Sequence, residues 1–253
     1  MLEFLVPPQA AGYMDLKNST LKVKIRLTDA TDQPITTNDV GVVNLALHSI
    51  FLQVDCTLQQ SPVGQTCTNY PYKAYINTLL STNKNDKITL QYQLFVKDQG
   101  GRDDPDVNTG SNTGLYLRAL YTKEGQILEM EGPIHLDNFQ QNRLMINGVR
   151  LTLKFWPSKN SFRLLSETEN ASYKVQMLDA SFKLGVQKPN AGVLMAHSKM
   201  IRDNPAMYPN VNSSLKIASI FKGQYSYCKN NLFQSEITSQ LVVGMVANAS
   251  STI

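Results

Sequence analysis

The chain has 253 residues and a net charge of +4, from 24 basic and 20 acidic side chains, with the basic residues scattered along it. That balance argues against strong nucleic-acid binding by counterion release, and no apolar run approaches the ~20 residues a membrane-spanning helix needs. The apolar content of 42% is ordinary and no long block of like charge suggests disorder, so a folded chain is expected. All-β sandwiches of this length are commonly single units, and one domain over residues 1–253 follows as the expectation.

The N-terminal stretch Met1 to Pro8 lacks a basic start and is too short for a secretory signal, so a protein made inside the cell and not secreted is expected. Leu21, Val23, Ile25 and Leu27 alternate with Lys22, Lys24 and Arg26, the period of a strand with one buried and one wet face. Basic residues on that wet face are expected to be solvated and not to contact phosphate. A second strand is placed at Ile50 to Leu58. Tyr72, Tyr75, Ile76 and Leu79 then fall at helical spacing behind Pro71, predicting a short amphipathic helix whose tyrosines pack on the sandwich.

A strand is expected at Ile88 to Val96, followed by a long exposed loop from Lys97 to Gly114. Within that loop Asp104, Asp106 and Asn108 space their oxygens like a calcium loop, but the glycine comes one place late at Gly110 and Leu115 holds the bidentate glutamate position. No ion is therefore expected there. A strand at Gln126 to Leu136 precedes the hairpin-type pair Asn147-Gly148. Val149, Leu151, Leu153 and Phe155 alternate with Arg150, Thr152 and Lys154 up to Pro157, predicting another half-buried strand. Further strands are expected at Val175 to Val186, Leu215 to Ile220 and Gln240 to Val246, with a helix from Pro189 to Ile201 carrying Val193, Leu194, His197, Met200 and Ile201 on one face. Many short strands without a repeating βαβ order predict an all-β sandwich.

Catalytic chemistry finds little support. Cys56, Cys67 and Cys228 are odd in number and lack Cys-x-x-Cys spacing, so free buried thiols are expected. His48, His135 and His197 are far apart in sequence without zinc spacing, and His197 on its apolar helix face is expected in the core. His135 and Asp137 would share a strand face as base and orienter, yet no nucleophile motif accompanies them. There is no nucleophile elbow, phosphate loop or dinucleotide fingerprint. No catalytic residue, metal or cofactor is predicted. Sequons begin at Asn18, Asn170, Asn212 and Asn248, and about three would arise by chance in so Asn-, Ser- and Thr-rich a chain.

The segment Gly132 to Val149, with Gly132, His135, Asp137, Phe139, Gln140, Arg143 and Asn147-Gly148-Val149 in order, resembles the capsid proteins of the Polinton/Maverick and adintovirus type. Other segments are similar in the same order: Tyr13 to Leu21 with Val23 and Ile25; His48 to Val54; Tyr70 to Tyr75 running into Leu79-Leu80-Ser81; Tyr173 to Val175 and Asp179-Ala180; Ala196 to Lys199; Asn231 to Phe233; and Val242 to Gly244. The resemblance covers nearly the whole chain. It implies a jelly-roll β-sandwich of about eight strands with two short helices in the connections. That family's subunits carry two successive rolls, assemble as trimers and tile an icosahedral shell, whereas this sequence has about one roll's length and resembles the first. The implied function is a structural capsid protein located in the virion. Its partners would be copies of itself, as a trimer if a second roll is supplied, and other capsid proteins, with no direct nucleic acid and no membrane insertion. The alternative is a cellular β-sandwich binding module for glycan or protein, using the 97–114 loop.

Overall fold

The computed structural model describes residues 1–9, 12–64, 68–101, 104–168, 172–209, 211–230, 232 and 238–245. The first strand, β1 (Leu2–Val6), turns Leu2, Phe4 and Val6 toward the core, and Pro7-Pro8 follow its end. Strand β2 (Tyr13–Thr28) is the longest: Leu21, Val23, Ile25 and Leu27 are fully buried, while Lys22, Lys24 and Arg26 between them reach partly into water. Next come β3 (Val40–Val42), the single-turn helix α1 (Ala46–Ser49), β4 (Phe51–Leu58) and the two-residue β5 (Ser61–Pro62).

Helices then occupy the middle of the chain: α2 (Tyr70–Ser81), α3 (Lys87–Tyr92) and α4 (Thr113–Ala119). Pro71 lies in the first turn of α2, where its missing N–H costs nothing. The Asn112 side chain caps α4 by accepting the Leu115 N–H at 3.1 Å. Strand β6 (Leu128–Pro133), α5 (Asp137–Gln140), β7 (Leu151–Pro157), α6 (Asn160–Arg163), β8 (Leu164–Ser166), β9 (Lys174–Gln187) and α7 (Ala191–Asp203) complete the described elements. Asn190 caps α7 through the Gly192 N–H.

The strands form antiparallel sheets in the orders β1-β7-β4-β5, β6-β2-β9 and β3-β8. The architecture is predominantly β and fits a sandwich. Leu21 to Leu27 from β2 and Val54, Leu151, Leu153 and Phe155 from β4 and β7 share one buried cluster. At roughly 1.5–3 kcal/mol for each fully buried large side chain, this shared layer is the main source of stability. Early strands pair with late ones in nested order: β2 with β9, β3 with β8, β4 with β7. A bulge at Leu178 of β9, between the Lys24 and Ile25 pairs, lets Ala180 and Met177, three residues apart, both pack on the core opposite Val23 and Ile25.

Several expectations need correcting. Residues 88–96 form helix α3 and a turn, not a strand: Leu90 and Leu94 face the core while Ile88 and Tyr92 face solvent. The apolar residues at 88, 90, 92 and 94 suit a strand, but the i, i+4 pair among them suits a helix equally, and packing against β6 decided. Residues 215–220 and 240–245 have no strand partner among the described residues, and Val246 lies outside them. Nine strands are present among the described residues, against about eight expected, because β1, β3, β5 and β8 were not foreseen. His48 and Ser49 belong to α1, so that resembling segment becomes a strand only at Phe51. Gly148 has the positive φ of 77° that its turn chemistry implied, but the turn leads from a loop into β7 and does not join two strands.

Candidate functional site

Three segments singled out in the sequence converge beneath helix α2. Tyr70 opens that helix, His48 closes α1, and His135 follows β6, so the turn of each element delivers one polar side chain to a common interior point. The His48 and His135 rings meet edge to face, their centroids 4.6 Å apart. The Tyr70 hydroxyl accepts the His135 backbone N–H at 3.2 Å and lies 3.0 Å from His48 Nδ1. His48 Nε2 lies 2.9 Å from Gln93 Oε1. Because that amide oxygen only accepts, His48 carries its proton on Nε2, and Tyr70 donates to Nδ1. Gly132 is needed here: a Cβ at that position would stand 2.5 Å from the Gln93 side chain and 2.9 Å from Leu47.

Beside the histidines a buried ion pair joins α2 to α5, with Lys73 Nζ 2.7 Å from Asp137 Oδ1. The same carboxylate accepts the Ser213 hydroxyl at 2.6 Å and its backbone N–H at 3.1 Å, tying the segment after α7 to the core. Two further contacts hold that segment: Arg143 donates to the Met207 carbonyl, and the Tyr208 hydroxyl accepts the Ile146 N–H. Both imidazoles are held neutral. Burial, then the neighbouring His135, pushes His48 well below the usual imidazole range. Burial, then the Lys73 charge, lowers His135 to about 4. His135 Nε2 is buried without a hydrogen-bond partner. Through these contacts the cluster joins α1, α2, α5 and the segment after β6 at one buried polar junction.

The other residues weighed from sequence fall elsewhere. Asp137 starts α5 and pairs with Lys73, so it and His135 do not share a strand face. His197 is exposed on α7, not in the core: its ring stacks on Tyr13, with Nδ1 2.9 Å from the hydroxyl. The expected helix exists, but Val193, Met200 and Ile201 on its apolar face remain exposed. Cys56 is a buried free thiol, pushed up to about 12 by burial; Cys228 is free but exposed, and Cys67 lies outside the described residues. Tyr72 and Tyr75 pack on Phe162 and Phe95.

In the 97–114 loop, Asp104 accepts the N–H groups of Asp106 and Ser111, and Asp106 accepts those of Asn108 and Thr109. These bonds hold both carboxylates below their ordinary range, with backbone N–H groups leading at Asp104 and the Thr109 hydroxyl at Asp106. Among the described residues no group of three acidic, His or Cys side chains is arranged for a metal ion. Nor is the loop wholly exposed: Val107 is buried against Leu115 and Ala119, and Asp98 pairs with the buried Arg118 at 2.8 Å. On the wet face of β2, Lys22 and Lys24 both pair with Glu129, and Arg26 donates to Gln176, so cross-strand partners occupy the basic stripe.

Apolar side chains remain in solvent on the helices. Leu80 of α2 is 59% exposed, Ile88 and Tyr92 of α3 are 69% and 63% exposed, and Tyr116 and Leu117 of α4 are also exposed. Sequence reasoning missed α4 altogether, although Asn112 followed by Leu115 and Ala119 at i, i+4 offered a cap and a short buried stripe.

No protein-family profile matches the chain. The chain is similar to an uncharacterized protein of Caenorhabditis elegans, 23% identical over 262 residues that take in 97% of this chain and 59% of that protein. The chain thus spans less than two thirds of that relative's length.

Proposed function

We propose that the chain is a structural capsid-type subunit: a jelly-roll sandwich that associates with copies of itself to form part of a shell. The observation that carries this reading is the nested pairing of β2 with β9, β3 with β8 and β4 with β7. A long antiparallel ribbon folded over on itself produces such an order, which supports the jelly-roll reading. The ribbon's innermost pair is replaced here: helices α2 to α4 lie between β5 and β6, and β6 pairs with β2. The convergence of His48, Tyr70 and the Gly132 to Asp137 segment is in keeping with the capsid resemblance, since residues spread along the sequence serve one junction. In this reading the chain supplies one roll of a two-roll subunit, a trimer forms when the second roll is present, and the location is the virion. The chain acts as a scaffold and not as an enzyme.

Exposed apolar residues on α2, α3 and α4 supply the association surface. Sedimentation velocity across a concentration series tests the proposal. The isolated chain is expected to form oligomers at micromolar concentration, and Leu80→Lys with Ile88→Lys should shift it toward monomer. A parent chain that stays monomeric at high concentration and binds no apolar-surface dye would overturn it.

A further inference from the structure

The sheet β6-β2-β9 ends at β9, whose far edge meets no further strand among the described residues. Helix α6 reaches that strand only at its N-terminal end, where the Asn160 side chain accepts the Val175 N–H at 3.4 Å. The Gly185 N–H points the other way, toward β2, and donates to Ser19 Oγ at 3.1 Å. Backbone groups alternate along a strand, so Gly185, Lys183 and Ser181 address β2, while Leu184, Phe182 and Ala180 present their N–H and C=O groups to the free edge. The apolar face of β9 is also incompletely covered. Leu21, Val23 and Ile25 of β2 are fully buried, whereas Ala180, Phe182 and Leu184, packed on the same cluster, are only partly buried. An edge with open backbone groups and half-covered apolar side chains is a template for another strand.

Charge on the solvent face of β9 says which strand fits. Lysines commonly guard an edge, but Lys183 leans back across the sheet, with Nζ 2.6 Å from Glu131 Oε2 on β6. Asp179 is exposed and makes no hydrogen bond or ion pair among the described residues, acting on Lys22 only through longer-range attraction. Ser181 lies midway between Asp179 and Lys183 on the same face. When two copies of β9 run antiparallel about a two-fold axis through Ser181, each Asp179 falls opposite Lys183 of the other copy. Ala180 then falls opposite Phe182, with their open N–H and C=O groups in register to bond. An axis through Ala180 or Phe182 leaves Asp179 opposite a serine or a glycine, and one through Lys183 opposes two lysines. The bulge at Leu178 ends the ladder on either side.

We propose that β9 is a self-complementary docking edge, at which two copies of the chain pair β9 to β9 about Ser181 and join their sheets in the order β6-β2-β9-β9-β2-β6. A contact this short belongs to the weak, reversible end of specific interfaces. The proposal goes beyond the shell reading and uses none of its apolar helical surface.

Sedimentation velocity tests it in the full chain carrying Leu80→Lys and Ile88→Lys, which removes association through the helices. That protein is expected to dimerise reversibly as its concentration rises toward about 1 mM. Asp179→Lys sets lysine against lysine and Lys183→Asp sets aspartate against aspartate, so each alone should dimerise at least about tenfold more weakly. An equimolar mixture of the two restores opposite charges at both pairs and should recover the dimer. Ser181→Cys, with Cys67→Ser and Cys228→Ser, should form a covalent dimer on mild oxidation, because the axis sets that position against itself; Lys183→Cys should not. Circular dichroism melts establish that each variant is folded. Should the lysine background fail to fold, the charge variants and their mixture are read in the parent chain, since they leave the helices unchanged. A monomer at every concentration, dimers indifferent to both charge changes, weakening that the mixture does not reverse, or Ser181→Cys linking no faster than Lys183→Cys overturns the proposal.

Discussion

Acidification should loosen the fold through His135, and the size of the effect can be worked out. An unfolded imidazole titrates near 6.5, whereas burial and Lys73 hold the folded His135 at about 4. A base whose folded pKa is depressed supports folding fully above its unfolded pKa and loses that support as pH falls toward the folded value. At pH 5 the unfolded state has taken up a proton that the folded state still refuses, at a cost of about 2 kcal/mol, and the limit below pH 4 is roughly 3.4 kcal/mol. His48 acts in the same direction, and charging both rings 4.6 Å apart next to Lys73 is disfavoured further. The perturbation is His135→Gln, which cannot ionise, compared with the parent by urea denaturation from pH 7.5 to 4.5. The substitution will lower stability at neutral pH by disturbing the packing against His48, but it should flatten the acid slope. Exposed carboxylates titrate alike in both proteins and cancel in the difference. Between pH 7 and 5 the parent should lose about 2 kcal/mol more than the variant, or about 4–8 °C in melting temperature for a chain of this size. Parallel pH profiles would refute the assignment of His135 as a buried neutral imidazole.

Leu151→Asp places an unpaired carboxylate in the fully buried layer between the sheets, and should cost several kcal/mol and abolish cooperative melting; a melt within two degrees of the parent would mean the β7 register is wrong. Lys73→Met leaves Asp137 buried with only Ser213 as a neutral donor, and is expected to cost about 3–5 kcal/mol, much of it recovered in the double variant Lys73→Met/Asp137→Leu; denaturant melts of the three variants read the coupling. Chelation should leave the melting temperature unchanged, because the carboxylates of Asp104 and Asp106 already accept backbone N–H groups; calcium-dependent stabilisation lost in Asp104→Ala/Asp106→Ala would reopen the ion site.

How far the sequence revealed this fold depended on whether one local period was enough. Leu21 to Leu27 and Leu151 to Phe155 each alternate over seven or five residues with charged or polar partners, and both are inward as expected, because a slip of one residue would bury lysines. The place of helix α2 was legible from the proline and the helical spacing, but not its buried face, which is Tyr70, Lys73, Ala74 and Thr78, while Tyr75 and Leu79 of the expected face stay exposed. The 88–94 run was not legible, because its apolar residues satisfy both periods and only contact with β6 separates them. Residues 215–220 are rich in apolar side chains as well, yet such a run yields a strand only where a neighbouring backbone is available to pair with it, and sequence alone does not show the neighbour.

The polar junction was invisible for a different reason. His48, Tyr70, Gln93 and His135 lie on four separate elements, and each alone has an ordinary local environment; what makes them a network is the closure of the sandwich. Sequence distance was therefore misleading when it set the three histidines apart, since two of them share one buried contact. The outer face of β7 follows the opposite logic: Lys154 and Thr152 were placed on the wet face by alternation, but their cross-strand neighbours Glu3, Asp55 and Thr57 emerge only when β1, β7 and β4 are laid side by side. Periodicity tells which way a side chain points, whereas register tells what it meets, and in a nested ribbon register is set by strands that lie far apart in the sequence. The junction depends on that long-range register, since His135 follows β6 and the pairing of β6 with β2 fixes where its ring meets His48, so a variant that shifts β6 by one residue should break the junction.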